Sequence, residues 1–184
     1  MVMRWTVNIP EGESENYKVQ TCTELVGEPS WLNYVNYRSI DAGTYTVLFR
    51  KYGESWLNIM QDTSQEYDEH AWLTSRMSGD ILIGGLGLGV VNVGLLANDE
   101  ITSVTIIENS QEVIDLVWDN CAKDDRFVLV KADVNTWEIP EGSNWDAAWF
   151  DTWLTSDESI ENYKTRITNK YSPYTTEISG WEWS

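Results

Sequence analysis

The chain reads as an α/β protein built on a parallel sheet, with a β-rich segment ahead of it. Three observations lead there. From Asp80 onward, short apolar runs alternate with amphipathic stretches, the strand–helix–strand repeat that makes parallel sheets with right-handed crossovers. A glycine cluster, Gly84-Gly85-Leu86-Gly87-Leu88-Gly89, joins the first of those runs to the stretch behind it. An acidic residue stands at or just past the end of each of the next three runs: Glu108, Asp133 and Asp151. Such a Rossmann-like sheet takes its ligand beyond the carboxyl ends of its strands, where the strand order reverses.

The elements follow in order. Tyr17 to Cys22 is strand-like, and Thr44 to Tyr52 with Ser55 to Met60 form a hairpin across Gly53-Glu54. Thr63 to Arg76 is a helix opened by a capping box, Thr63 with Glu66, and stopped near Gly79. Tyr67, Ala71 and Thr74 share one of its faces. Ile81 to Ile83 is a buried strand, followed by the glycine turn and a helix from about Leu88 to Ala97. Val104 to Ile107 is the next strand. Ser110 to Cys121 is a helix with Val113, Ile114, Val117, Trp118 and Cys121 on one face. Phe127 to Val130 and Trp145 to Phe150 are strands. Thr155 to Tyr171 is a last helix, capped by Thr155 with Glu158 behind it and carrying Ile160, Tyr163, Ile167 and Tyr171 on its apolar face. An aromatic tail, Gly180-Trp181-Glu182-Trp183, closes the sequence. One compact domain is expected: an N-terminal hairpin extension and helix over 1–78, a nucleoside-binding core over 79–154, and a C-terminal helix and tail over 155–184.

Composition narrows the partners. The 184 residues carry a formal charge of -18, spread along the chain as a solvated acidic surface. Nucleic-acid binding needs clustered Lys and Arg, and here they are few and scattered, so a nucleic-acid partner is not expected. A neutral or cationic small substrate suits this field. Cys22 and Cys121 stand far apart and His70 is the single histidine, which argues against a metal site and a disulfide framework and points to the cytoplasm. No apolar signal segment opens the chain, and the apolar stretch from Ile81 to Ala97 is broken by glycines and Asn92, so no membrane span is expected.

Four positions carry the chemistry. The glycines at 85, 87 and 89 let the backbone turn tightly and let a ligand approach without a Cβ in the way, although a close-packed strand–helix turn needs the same residues. Glu108 stands nineteen residues past Gly89, where a carboxylate can accept both ribose hydroxyls of a nucleoside; a surface or capping acid is the plainer reading. Asp133 follows the third strand of the core, where an acid can accept from an adenine amino group or simply form a turn. Asp151 follows the fourth, flanked by Phe150 and Thr152-Trp153, and is the candidate catalytic residue; an acid of a helix's first turn is its alternative. Together these positions favour S-adenosylmethionine (SAM) over NAD, because the dinucleotide fingerprint would place its third glycine at position 90, which is Val.

These same residues carry a resemblance. Asp80 to Trp153 resembles class I SAM-dependent methyltransferases, and within them the spermidine-synthase-like group. Ile81 to Gly89 looks like that group's first motif. Val104 to Glu108 followed by Val113-Ile114 looks like its ribose-binding strand and helix. Ala132-Asp133-Val134 resembles the adenine-binding motif, and Asp146 to Asp151 the strand that ends in the active-site aspartate. Gln61-Asp62 and Gln65 to His70 echo the segment with which aminopropyltransferases close over their ligands. The chain is also similar to short methyltransferase-like proteins of bacteriophages. The resemblance covers roughly residues 60 to 154.

It implies SAM as cofactor, held by Gly85, Gly87, Gly89, Glu108 and Asp133, with Asp151 catalytic and Asp62, Tyr67, His70 and Trp153 as acceptor-side residues. His70 reads alternatively as a surface histidine. Three departures qualify the match. Leu88 stands where aminopropyltransferases carry an Asp for the amino group of decarboxylated SAM. Ile83 replaces the acid that many methyltransferases carry before the glycine turn. Only 33 residues follow Asp151, where a full class I sheet needs three more strands. The fold implied is therefore a C-terminally truncated class I methyltransferase fold, with a homo-oligomer as one way to cover the shortened end. The expected activity is methyl transfer to a small-molecule acceptor, an amine fitting best. Aminopropyl transfer and SAM binding without catalysis stand as alternatives.

Overall fold

The structure, a computed structural model, describes residues 4–24, 41–152, 158–181 and 183, with the side chains of Trp72, Ser75 and Arg76 excepted. The chain divides into two compact units. One comprises Met1–Trp72, Gly87–Leu95 and Glu112–Ala122; the other comprises Leu73–Leu86, Leu96–Gln111 and Lys123–Ser184.

The first unit holds a four-stranded antiparallel sheet in the order β1-β2-β3-β4, with β1 at Gly12–Glu13, β2 at Tyr17–Glu24, β3 at Gly43–Tyr52 and β4 at Ser55–Gln61. Tyr52 pairs with Ser55, so the hairpin turns on Gly53 and Glu54, with Gly53 at φ 60°. Alternation puts Cys22, Tyr45, Val47 and Phe49 on one face as a core with Trp56 against it. Lys18 lays its ammonium 4.9 Å from the ring centres of both Phe49 and Trp56.

Helix α1, Ser64–Arg76, begins after Thr63, whose hydroxyl accepts the Glu66 N–H at 3.5 Å. Its buried positions are Glu66, His70 and Leu73, one residue round from the expected face of Tyr67, Ala71 and Thr74. The reason is polar pairing. Nδ1 of His70 donates to the Glu66 carbonyl at 2.7 Å and lies 4.0 Å from the Glu66 carboxylate, so a ring that hydropathy assigns to solvent finds its partner indoors.

Two short helices, α2 at Val90–Leu96 and α3 at Gln111–Val117, alternate along the chain with the strands of the second unit. That unit holds β5 at Gly79–Gly84, β6 at Ile101–Glu108, β7 at Phe127–Lys131, β8 at Trp145–Phe150 and β9 at Thr175–Gly180. Every pairing is parallel and the order is β7-β6-β5-β8-β9. The order runs outward from β5 to one edge, then resumes on its other side, so the switch point lies between β5 and β8. Helix α4, Ile160–Tyr171, buries Tyr163, Ile167 and Tyr171 in one cluster with Leu82, Ala148 and Phe150. The large apolar side chains among them, Leu82, Phe150 and Ile167, each contribute about 2 kcal/mol by leaving water.

Two expectations are corrected at the C-terminal end. Helix α4 starts at Ile160 with Ser159 as its cap, its hydroxyl accepting the Asn162 N–H at 3.4 Å; Thr155, the expected cap, lies outside the described residues. Glu158 instead forms an ion pair with Arg166. Beyond the helix, a single 3-10 turn at Ser172–Tyr174 leads into β9, which pairs with β8 in a segment the sequence offers only as tail. Thr175 and Thr176 were its signal, and Gly180 ends it. Among the described residues no helix is long and apolar enough to cross a membrane, and no group of three or more His, Cys, Asp or Glu is set to hold a metal ion.

Candidate functional site

Residues from four successive strand ends lie along one edge of the parallel sheet. Asp133 lies two residues past β7, Glu108 closes β6, Gly85 follows β5 and Asp151 follows β8. With strands spaced about 4.8 Å apart, this row spans roughly 14 Å. Backbone bonds hold it together. The Gly85 N–H donates to the Ile107 carbonyl at 2.8 Å, Ala132 N–H to the Glu108 carbonyl at 3.0 Å, and Asp151 N–H to the Gly84 carbonyl at 3.0 Å.

Glu108 is buried, and both of its carboxylate oxygens are engaged. Oε2 accepts the Leu86 N–H at 2.9 Å and Oε1 accepts the Ser110 N–H at 2.7 Å. The carboxylate thus ties the glycine turn to the end of its own strand. Each oxygen keeps a second lone-pair direction, so this pair of acceptors also suits a vicinal diol.

Gly85 sits at φ 100°, and a Cβ there would come within 2.9 Å of the Asp151 carbonyl oxygen. Gly84 is equally constrained, because a Cβ would meet the Phe150 ring at 2.3 Å. In the first unit, Gly87 at φ 52° faces the Met60 sulfur, 2.4 Å from where a Cβ would be, and Gly89 at φ 66° faces Cys121 at 2.9 Å. The Met60 sulfur also accepts the Leu88 N–H at 3.1 Å. Close packing against protein atoms therefore accounts for all four glycines.

Asp133 is half-buried and shapes a turn. Its Oδ1 accepts the Asn135 N–H at 2.8 Å, while its carbonyl accepts Trp137 N–H at 2.8 Å and Thr136 N–H at 3.1 Å. Asp151 is half-buried beside Thr152. The Thr152 N–H donates to the Tyr163 hydroxyl at 3.3 Å, and the two hydroxyls are 2.8 Å apart. Burial, outweighing these bonds, pushes the Tyr163 phenol up to about 12, so it stays a neutral donor and acceptor.

The remaining expected site residues fall in the first unit or outside the described residues. Asp62 is fully buried: Oδ1 accepts from Arg4 at 3.0 Å and Thr46 N–H at 2.8 Å, and Oδ2 accepts Val7 N–H at 3.1 Å. Desolvation pushes its carboxyl upward, opposed by those two N–H donors and the Arg4 guanidinium. Tyr67 packs edge-on to Trp5, ring centres 4.6 Å apart. His70 is 3% exposed rather than at the surface, and burial lowers its imidazole to about 4. Trp153 lies outside the described residues. Tyr163 and Tyr171 were legible in sequence only as apolar-face residues; the partners of their hydroxyls were not.

No protein-family model and no curated protein matches the sequence. Solved structures resemble part of the chain in fold. One is a protein of Pyrococcus horikoshii provisionally described as an RNA methyltransferase, at 18% identity over 64% of this chain and 59% of that one, TM-score 0.49. Another is the SAM-bound amino pentose methyltransferase CalS10 of Micromonospora echinaspora, at 15% identity over 62% of this chain and 50% of that one, TM-score 0.47. A third is the glycopeptide N-methyltransferase MtfA with S-adenosylhomocysteine, at 18% identity over 59% of this chain and 43% of that one, TM-score 0.46. The chain thus spans less than two thirds of the length of each of these three proteins.

Proposed function

We propose that this chain binds SAM along the carboxyl edge of its parallel sheet and transfers the methyl group to a small acceptor, an amine by preference. One observation carries the reading: Gly85, Glu108, Asp133 and Asp151 stand in a row at the switch-point edge of one sheet. In that row Glu108 accepts the ribose hydroxyls and Asp133 accepts the adenine amino group. The sulfonium of SAM supplies an electrophilic methyl group without protein help. The chain's task is then to align the acceptor and keep water out. Asp151 orients the acceptor nitrogen and takes its proton. The net charge of -18 favours a cationic or neutral acceptor over a nucleic acid.

Calorimetry with SAM and with S-adenosylhomocysteine tests the reading, with Glu108→Ala and Asp133→Asn as controls. Micromolar binding that either substitution abolishes supports it. No heat with folded, ligand-free protein overturns it. Asp151→Asn should then keep SAM binding and lose turnover over a panel of amines.

A second reading is SAM binding without catalysis. Tight SAM binding with no turnover over the whole acceptor panel selects it.

A further inference from the structure

Helix α4 buries Tyr163 and Tyr171 on one stripe, two turns apart. Packing alone would be served by phenylalanine, and a buried hydroxyl costs free energy unless it finds a partner. Both find one on the loops at the strand ends. Tyr163 meets Thr152, next to Asp151. Tyr171 donates to the Val134 carbonyl at 2.7 Å, next to Asp133.

The second contact has a consequence for the carboxylate. The Val134 carbonyl and the Asn135 N–H belong to one planar peptide group, pointing in opposite directions. Tyr171 grips the carbonyl side, and Asp133 Oδ1 accepts the N–H side at 2.8 Å. A single rigid plane therefore links the phenol of Tyr171 to the carboxylate of Asp133, and the two hydrogen bonds polarise one another through it.

We propose that Tyr171 is a positioning residue that sets the direction of the Asp133 carboxylate and thereby the preference of the site for adenine. This rests on the SAM-binding reading above. Without the hydroxyl, the Val134 carbonyl loses its partner inside the core and the peptide plane is released. Asp133 keeps its charge and loses its aim. Tyr163 has the same helix and the same burial, but its hydroxyl bonds the other loop, so it separates aim from general stability.

The test compares S-adenosylhomocysteine with S-inosylhomocysteine, which carries a carbonyl where adenine carries its amino group, by calorimetry on the full chain. Wild type should prefer the adenine ligand about tenfold or more, the worth of a hydrogen bond to a charged acceptor. Tyr171→Phe should bring that preference several-fold closer to parity, while Tyr163→Phe keeps it. Amide exchange at Asn135 in the ligand-free protein should be faster in Tyr171→Phe and unchanged in Tyr163→Phe. An undiminished preference in folded Tyr171→Phe, an equal loss in both variants, or no preference in wild type overturns the proposal. If wild type binds neither ligand, the SAM reading fails and the selectivity claim with it; Asn135 exchange then decides the positioning alone, and an unchanged rate overturns that too.

Discussion

Glu108 and Leu86 are joined across the parallel sheet by a 2.9 Å hydrogen bond from the Leu86 backbone N–H to Oε2 of the buried carboxylate. Because Oε1 takes the Ser110 N–H as well, Glu108 is a structural brace and a candidate ligand-binding group at once. Glu108→Ala should lower stability by about 2 kcal/mol, since charge-assisted bonds are lost and a buried N–H is stranded. In a chain of this size that lowers Tm by roughly 4–8 °C. Thermal melts taken alongside the calorimetry would show it; an unchanged Tm would mean that the brace contributes nothing to the fold.

Gly85 and Gly53 both have positive φ, yet their surroundings differ. A Cβ at Gly53 would meet nothing within 4 Å, whereas one at Gly85 would stand 2.9 Å from the Asp151 carbonyl oxygen. Gly53→Ala should cost only the left-handed conformation, on the order of 1 kcal/mol. Gly85→Ala adds a clash with backbone and should cost about 2 kcal/mol or more. Urea denaturation of both variants measures the difference, and equal losses would rule out the close approach of the two strand ends.

His70 makes stability depend on pH in a defined window. Its imidazole titrates near 4 when folded, against an ordinary 6.5, because burial disfavours the charged form. Above pH 6.5 both states hold it neutral, so there is no penalty. As pH falls from 6.5 toward 4, the unfolded chain takes up a proton that the folded one refuses, and stability falls by about 3 kcal/mol. His70→Gln should flatten this part of the profile. Urea midpoints of wild type and variant between pH 7.5 and 4.5, taken as a difference, isolate it from the many carboxylates; parallel curves would refute it.

Asp62 is a buried carboxylate held by one guanidinium and two backbone amides. Asp62→Ala would strand the Val7 and Thr46 N–H groups and leave Arg4 without its ion pair, at a cost on the order of 3 kcal/mol. Arg4 also stacks on Tyr45 at 4.3 Å, so Arg4→Ala should destabilise through lost packing as well. Chemical denaturation of both single variants and the double variant would give the coupling between them. Simple additivity would mean that the ion pair contributes nothing.

Periodicity determined much of this protein before any coordinates. Strands β2 to β8 and the four helices each overlap a run the sequence marks, although the Ser110–Cys121 run is helical only over Gln111–Val117, because an apolar alternation or a helical stripe is a local property and its ends are not. The same pattern placed Glu108, Asp133 and Asp151 at or just past strand ends, and chain order alone made them candidates for one crevice. Tertiary structure decided the rest. Strand β9 is not marked by the sequence, because its alternation is weak and its partner, β8, is separated from it by a helix. The buried face of α1 is not marked by hydropathy because Glu66 and His70 are polar, and the bond from the His70 ring to the Glu66 carbonyl forms only in the folded helix. The need for glycine at 84, 85, 87 and 89 was legible, but its cause was not, since Phe150, the Asp151 carbonyl, Met60 and Cys121 reach those positions from elsewhere in the chain. Residue type and spacing say which groups are available for chemistry; which hydrogen-bond partners they already hold is settled only when distant segments meet.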